Sequence, residues 1–331
     1  MTAGVLIIGE VSEGGLLPIT RELLGAGRRL ADELSEELSA VLIGASMGDA
    51  SKEAIAYGAD KVYVADDPLF SSYNTDCYTE VATHVCQELT PSILLLGQTD
   101  IGRDLAPRLA SRLRTGLCMD CVELTIDPNT KLMLQTRPVY GGNAHATMVC
   151  RSTRPQMATV RPKSMAPLER DDSRQGEVIP WKEVVDTSVI RTKLVDRVKE
   201  EAKGIKIEDA EVVVGGGRGI GNADNFGMLY ELAKLLGGAV GGTRPAYDEG
   251  WVPASLQIGL TGKIITPKVY FAVALSGAMQ HIAGCSGSKN IVAINKDAEA
   301  NIFKVAHFGI VGDFREVVPA LIEKLKELLA A

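Results

Sequence analysis

A two-domain α/β fold built on parallel sheets is what this sequence predicts, and three observations predict it. The chain has 331 residues, about twice the length of an ordinary domain. Its short apolar runs are continuous rather than alternating, the pattern of strands covered on both faces. Those runs alternate with amphipathic segments of helical length in two series, one at each end of the chain, with a charged and weakly periodic stretch between them.

In the first series, Val5–Ile8, Ala40–Ile43, Lys61–Val64 and Ser92–Leu96 read as strands. Helical patterns fall between them at about Ile19–Leu38, Ser51–Tyr57, Asn74–Leu89 and Arg103–Leu113. From Cys121 to Val160 the rhythm shortens. The segments Cys121–Ile126, Leu132–Thr136, His145–Cys150 and Met157–Val160 predict hairpin strands added to the edge of the N-terminal parallel sheet. Residues Pro162 to Lys203, including Leu168-Glu169-Arg170-Asp171-Asp172, predict a connector with one short strand. A doubly wound βα series then follows, with strands at Val212–Val214, Gly238–Val240, Val269–Leu275, Ile291–Ile294 and about Phe303–Val305. The final helix is expected over Val317–Leu329, with Pro319 in its first turn, where proline is tolerated. The division falls at 1–202 and 203–331, with a linker near 190–205.

Composition narrows the function. Apolar residues are 46% and charged residues 23% of the chain, ordinary for a soluble protein with real cores. A net charge of −7 argues against nucleic acid or an anionic membrane as the main partner. The opening run Gly4-Val5-Leu6-Ile7-Ile8-Gly9 has no basic flank and no cleavage-like site, so it predicts a buried strand rather than a targeting segment. The stretch Val269–Met279 is about half a membrane span. A cytoplasmic location is expected. Six scattered cysteines suggest free thiols. Cys118 and Cys121 form a lone CxxC followed by strand-like Val122-Glu123-Leu124-Thr125. A redox or metal role would need a helix behind the motif or a second pair at ligand spacing, and neither is present.

Two segments carry chemistry. Val214 is followed by Gly215-Gly216-Gly217-Arg218-Gly219-Ile220-Gly221. A glycine-rich strand-to-helix turn lets backbone N–H groups approach a phosphate, and Arg218 adds a cation. No register of these glycines gives G-x-G-x-x-G, and the second strand leads to Gly241-Gly242-Thr243-Arg244 rather than to a ribose-binding acid. A tight turn packed in an apolar core is the lesser alternative for the glycines at this point. The second segment is Gln257-Ile258-Gly259-Leu260-Thr261-Gly262-Lys263, then a strand, then Ser276-Gly277-Ala278-Met279-Gln280-His281. His281 is placed in about the second turn of the following helix. At the C-terminal ends of the strands it shares an edge with Arg244, Thr261, Asn295 and Asp313, and ligands of open parallel sheets bind along that edge.

Gly259-x-Thr261-Gly262-Lys263, with Pro267, Tyr270, Ser276-Gly277-Ala278-x-Gln280-His281, Ala293-Ile294-Asn295-Lys296-Asp297 and Gly309-Ile310-Val311-Gly312-Asp313, closely resembles the FAD domain of electron transfer flavoprotein alpha subunits. The N-terminal half resembles the same family through Gly97-Gln98-Thr99-Asp100-Ile101-Gly102-Arg103-Asp104-Leu105-Ala106-Pro107 and Arg154-Pro155-Gln156-Met157-Ala158-Thr159-Val160-Arg161-Pro162. Departures stand at Leu260 (often glutamine), Ala274 (often glycine), Asn301 (often proline) and His307-Phe308 (often Asp-Tyr).

The resemblance implies an FAD-binding electron carrier rather than a stand-alone enzyme. Thr243, Ser276 and Gly277 would surround the pyrophosphate, with Arg218 close to the dinucleotide. Asn295, Asp313 and Phe314 would take the adenosine end. Thr261 would hydrogen-bond flavin N5, His281 would reach the C2 carbonyl, and Arg244 would lie against the ring; these three carry the redox role. Gln257, Ile258, Gly259, Leu260, Ala278, Met279 and Gln280 complete the expected lining. A cation or charged donor near N1–C2=O would stabilise the negative charge that reduction puts there. The implied partners are an electron transfer flavoprotein beta subunit, on which the N-terminal domain packs, and an acyl-CoA dehydrogenase. NADH and ferredoxin join them if the complex bifurcates electrons. The FAD domain is expected to pivot on the linker. No Ser/His/Asp triad, paired carboxylates or metal-ligand cluster competes in the sequence. A pyridine-nucleotide oxidoreductase, with Arg244 reading an NADP 2′-phosphate, is the alternative. A non-redox adenine-nucleotide protein is a third reading.

Overall fold

The computed structural model describes residues 3–12, 15–142, 144–182, 188, 190–196 and 205–330. The expected domain boundary at 202 and half of the expected linker, residues 197–204, lie outside them. The chain divides into two compact units, Met1–Pro138 with His145–Val198, and Val139–Ala144 with Lys199–Ala331.

In the N-terminal unit the elements run β1 (Val5–Gly9), β2 (Val11–Ser12), β3 (Gly15–Leu16), α1 (Pro18–Leu34), β4 (Leu38–Gly44), α2 (Ala50–Ala56) and β5 (Lys61–Asp66). They continue as α3 (Thr75–Leu89), β6 (Ile93–Gly97), α4 (Asp100–Leu113), β7 (Leu117–Cys121), β8 (Glu123–Ile126), β9 (Met133–Val139), β10 (Ala144–Val149), β11 (Gln156–Val160) and β12 (Glu177–Pro180). Seven strands form one parallel sheet in the order β12-β5-β4-β1-β6-β11-β7. Alternate residues of β1 explain the continuous apolar runs. Val5 and Ile7 enter a core with Leu23, Leu24 and Leu30 of α1, while Leu6 and Ile8 enter another with Val81, Val85, Leu105 and Leu109 of α3 and α4. Both faces are covered, so every position is apolar.

Three expectations for this unit need correction. The Met157–Val160 segment is no edge hairpin; as β11 it lies inside the parallel sheet between β6 and β7. The hairpin strands β8, β9 and β10 form a separate three-stranded sheet. The first helix stops at Leu34, because Ser35 turns left-handed (φ 56°) and its N–H bonds back to Ala31 and Asp32. The single short strand expected of the connector is β12, parallel to β5 at the sheet's edge.

The C-terminal unit contains β13 (Val212–Gly216), α5 (Phe226–Leu235), β14 (Ala239–Gly242), α6 (Arg244–Asp248), β15 (Val269–Val273), α7 (Met279–Cys285), β16 (Asn290–Asn295), β17 (Phe308–Val311) and α8 (Phe314–Ala330). The sheet is parallel, in the order β14-β13-β15-β16-β17. From β13 the chain first goes out to β14 and then crosses back to β15, so the winding reverses between β13 and β15, where open α/β sheets leave a crevice. Val214, Phe271 and Val273 pack towards α5 and α8; Val213, Tyr270 and Ala272 pack on the other face with Ile258 and Cys285.

Here too the sequence reading shifts in detail. Residues 301–304, overlapping the expected last strand at about Phe303–Val305, form a 3-10 turn, and the strand comes later, at Phe308–Val311. The last helix begins at Phe314, which puts Pro319 in its second turn. The glycine run leads into a 3-10 turn (Arg218–Ile220) before α5 starts at Phe226.

Candidate functional site

A cleft of about 620 Å³ opens at the C-terminal ends of β13, β14, β15 and β16, at the reversal point. That volume is within the range of small-molecule sites. It gathers Arg218, Thr243, Arg244, Gln257, Ile258, Gly259, Leu260, Thr261, Ser276, Gly277, Ala278, Gln280, His281 and Asn295. Asp313 and Phe314 line a smaller adjoining cavity of about 90 Å³ that shares Gly219, Ala274 and Asn295 with the cleft. Of the expected set, Met279 alone lines neither; it is half exposed at the start of α7. Sequence reasoning missed Gly219, Pro245, Ala274, Leu275, Asp297 and Ala300, which also line the cleft.

The walls are held by close backbone packing. The N–H groups of Gly217 and Gly219 donate to the carbonyls of Val273 and Ala274. A Cβ at Gly217 would come within 2.4 Å of the Ala274 oxygen. On the strand itself, a Cβ at Gly215 would fall 2.0 Å from the Tyr270 hydroxyl. Packing therefore accounts for much of the glycine run, as the tight-turn reading held. Gly277 is different: its φ is +77°, and a Cβ there would meet Ile302 N at 2.3 Å. Only glycine fits that position.

The loop 257–263 is fastened to its surroundings. Leu260 N donates to Gln280 O at 2.8 Å, and Ile258 N donates to Gly242 O at 2.8 Å. The Gln257 amide donates to Thr261 Oγ1 at 3.0 Å. Because the Thr261 oxygen accepts there, its own hydrogen is left to donate elsewhere.

His281 sits in the first turn of α7, not the second, and is buried. Its Nδ1 lies 3.2 Å from the Ile258 carbonyl and its Nε2 2.8 Å from the Tyr270 hydroxyl. A carbonyl only accepts, so Nδ1 carries the hydrogen and Nε2 accepts from the tyrosine O–H. Burial lowers the imidazole pKa to about 4, against a smaller opposing pull from the Ile258 carbonyl. The ring is therefore neutral near pH 7. The expected positive charge or free N–H at this residue is not available in this geometry, since both nitrogens are engaged. The cations on the cleft are Arg218 and Arg244, both exposed. Arg244 Nε bonds Asp248 at 2.7 Å, and its guanidinium stands 5.8 Å from the Tyr247 ring.

Asn295 braces the floor, donating from Nδ2 to Leu275 O at 2.9 Å and accepting from Asp297 N at 3.0 Å. Asp313 accepts from Arg315 N at 2.9 Å at the start of α8. Thr243 contrasts with both. It is 7% exposed, and its hydroxyl has no hydrogen-bond partner among the described residues. Leaving a buried hydroxyl unpaired costs about 1–3 kcal/mol, so a bound polar ligand is the natural partner.

A family model described as the electron transfer flavoprotein domain matches residues 5–185, and one described as the electron transfer flavoprotein FAD-binding domain matches residues 206–286. The chain is 48% identical over 324 residues to the electron transfer flavoprotein subunit alpha of Thermoanaerobacterium thermosaccharolyticum, covering 98% of each protein. It is 47% identical to that of Megasphaera elsdenii, covering 98% of this chain and 96% of that protein. The chain belongs to the electron transfer flavoprotein alpha-subunit family. It is also 38% identical to the lactate dehydrogenase (NAD(+),ferredoxin) subunit LctC of Acetobacterium woodii, over 98% of this chain and 77% of that protein.

As in other electron transfer flavoprotein alpha subunits, the C-terminal unit binds FAD, and the residues present fit it. The cleft pairs apolar walls with an orphaned threonine hydroxyl, two arginines and a glycine that leaves no room for a side chain. Among the described residues no helix is long and apolar enough to cross a membrane.

Proposed function

We propose that this chain holds FAD across the cleft and, with a beta subunit, passes single electrons between an acyl-CoA dehydrogenase-type flavoprotein and a second redox partner. The unpaired Thr243 hydroxyl, in the cleft just after β14, carries the reading. It donates to the pyrophosphate, with Ser276 and the Gly277 backbone beside it and Arg218 contributing charge. Asn295, Asp313 and Phe314 take the adenosine end, supported by the lining that the two cavities share at Gly219, Ala274 and Asn295. Thr261, pre-oriented by Gln257, points its hydroxyl hydrogen at flavin N5. Arg244 supplies positive charge by the ring, and His281 acts through position: it is a neutral post holding the 257–263 loop against β15. Bound there, the flavin supplies one- and two-electron transfer, and the chain's own residues orient it, exclude water and set the local charge.

A finer reading is that the complex also uses NADH and ferredoxin. The name of the Acetobacterium relative, which specifies both NAD(+) and ferredoxin, supports it. A soluble cytoplasmic location accompanies this role.

The pyrophosphate assignment is tested by FAD titration of Thr243→Val, which keeps shape and removes the hydroxyl. A hydrogen bond to a charged group contributes about 1.5–3 kcal/mol, so affinity should fall at least about tenfold with the fold unchanged. Gly277→Ala, blocked by Ile302 N, should lose FAD more severely. Undiminished FAD affinity in both variants overturns the assignment.

A further inference from the structure

Cys118 and Cys121 belong to no part of the flavin site, yet the fold arranges them together. Residues three apart on a regular strand face opposite sides of a sheet. On β7 a bulge changes this. Ala158 of β11 pairs with Cys118 and Val160 with Cys121, so three steps on β7 oppose two on β11, and Asp120 takes φ +66° to absorb the extra residue. Both cysteines therefore point the same way as Ala158 and Val160, into one core. Their thiols lie within hydrogen-bonding reach of each other, and Cys121 Sγ also approaches the Cys118 carbonyl at 3.6 Å. A third sulfur completes the group, because Cys118 Sγ bonds Met148 Sδ of β10 at 3.5 Å.

We propose that Cys118, Cys121 and Met148 form a three-coordinate site for a soft monovalent cation, Cu(I). A metal–thiolate bond of about 2.3 Å sets the sulfurs of a planar three-coordinate site about 4 Å apart, close to the contact already present. Two thiols with a thioether select Cu(I) over harder ions. Zinc needs a fourth hard or borderline ligand, and among the described residues no three His, Cys, Asp or Glu side chains gather to hold a metal. Binding releases two thiol protons, forms two copper–thiolate bonds and one copper–thioether bond, and leaves the copper oxidation state unchanged. The product carries one negative charge. Arg137 of β9 lies close enough to act on both sulfurs, and its buried Nε has no hydrogen-bond partner among the described residues. The neighbouring Asp120 carboxylate is taken up by Arg161 at 2.6 and 2.9 Å. Met148 is 47% exposed whereas Cys118 and Cys121 are buried, so the thioether is the member of the group that meets solvent.

The test is anaerobic titration of the full-length, FAD-loaded protein with Cu(I) against the chelator bicinchoninate. The protein should withhold one copper per chain. Met148→Leu, a conservative change at a half-exposed strand position, should weaken that binding at least about tenfold, since even outer-sphere changes at metal sites cost that much. Cys118→Ser should abolish it, while Cys150→Ser should leave it intact. Absence of uptake, uptake unaltered in Met148→Leu, or a Cys118–Cys121 disulfide in place of bound copper by mass would each overturn the proposal.

Discussion

Ala274 sits at the end of β15 with φ +50°, one of the few non-glycine residues here in the left-handed region. That conformation costs a side-chain-bearing residue roughly 1–2 kcal/mol, in keeping with the glycine that the family resemblance leads one to expect here. It also explains why β15 stops at Val273 rather than running to Leu275. Nothing in composition or periodicity signals a flipped alanine at the end of an apolar run. Its carbonyl is turned to receive the Gly219 N–H, which binds the glycine turn to the cleft edge. Ala274→Gly should relieve the strain. After the added unfolded-chain entropy of roughly 0.4–1 kcal/mol, a net gain of up to about 1.6 kcal/mol remains, read as a higher unfolding temperature. Ala274→Val, with a branched side chain at the same φ, should lower it; equal or opposite shifts would show the backbone is not strained. Arg244 is the complementary case, an exposed cation whose loss should leave stability nearly unchanged. Arg244→Ala should lower the flavin reduction potential in a spectroelectrochemical titration, and Arg244→Lys should restore it only in part, because lysine lacks the planar guanidinium. A potential unmoved in Arg244→Ala would remove the residue from its proposed role. The arginine, Thr261 and the glycine junction were legible as motifs. The neutrality of His281 was not, since it depends on Tyr270 and Ile258 meeting both ring nitrogens across the fold.

At the scale of elements, α1 holds the segment leaving β11. Glu22 is buried on the helix, and its carboxylate accepts from Lys163 N at 2.8 Å, with the N–H groups of Met165 and Ser164 also acting on it. Burial raises its pKa from 4.5 to about 7, outweighing those hydrogen bonds. The sign follows from linkage. Between pH 4.5 and about 7 the folded state binds more proton than the unfolded chain, so this group makes stability fall as pH rises through that window. Urea unfolding measured from pH 5 to pH 8 should show that decline, and Glu22→Gln, which cannot titrate, should flatten it whatever its absolute stability. Identical slopes in the two proteins would mean the carboxylate is already ionised throughout. The strands and helices flanking this latch were legible because both sheet faces are covered and every run is apolar. The place of β11 was not. Met157–Val160 reads locally like one more short hairpin strand, and only its parallel pairing with Ile93–Gly97, far away in sequence, puts it inside the sheet. The last strand was displaced for a related reason: Ile302 and Phe303 are apolar because the 3-10 turn packs into the core, while β17 itself is an exposed edge strand.

For the whole molecule the remaining question is what the cleft exchanges electrons with, and the chain's two units frame it. All the described cleft residues fall in the C-terminal unit. Among the described residues, the hydrophobic clusters behind the cleft draw on none before Ile207. The N-terminal unit, over half the chain, has two cores of its own and none of the flavin-site residues, as suits a platform for another subunit. The proposed use of NADH and ferredoxin calls for a second flavin in the beta subunit. If the beta subunit holds that second flavin, the purified heterodimer should release two FAD and no AMP, and its absorbance should bleach on addition of NADH alone. The FAD held by Thr243 and Gly277 would then relay single electrons to the acyl-CoA dehydrogenase, and Thr243→Val should lower the count by one FAD while leaving bleaching of the other by NADH. If the heterodimer releases one FAD with one AMP and NADH does not bleach it, the two-flavin reading fails and a simple one-electron shuttle stands. A Thr243→Val heterodimer that holds both flavins with undiminished affinity would instead remove Thr243 from the pyrophosphate, so the two failures are distinguishable by counting and titrating flavin before and after the substitution.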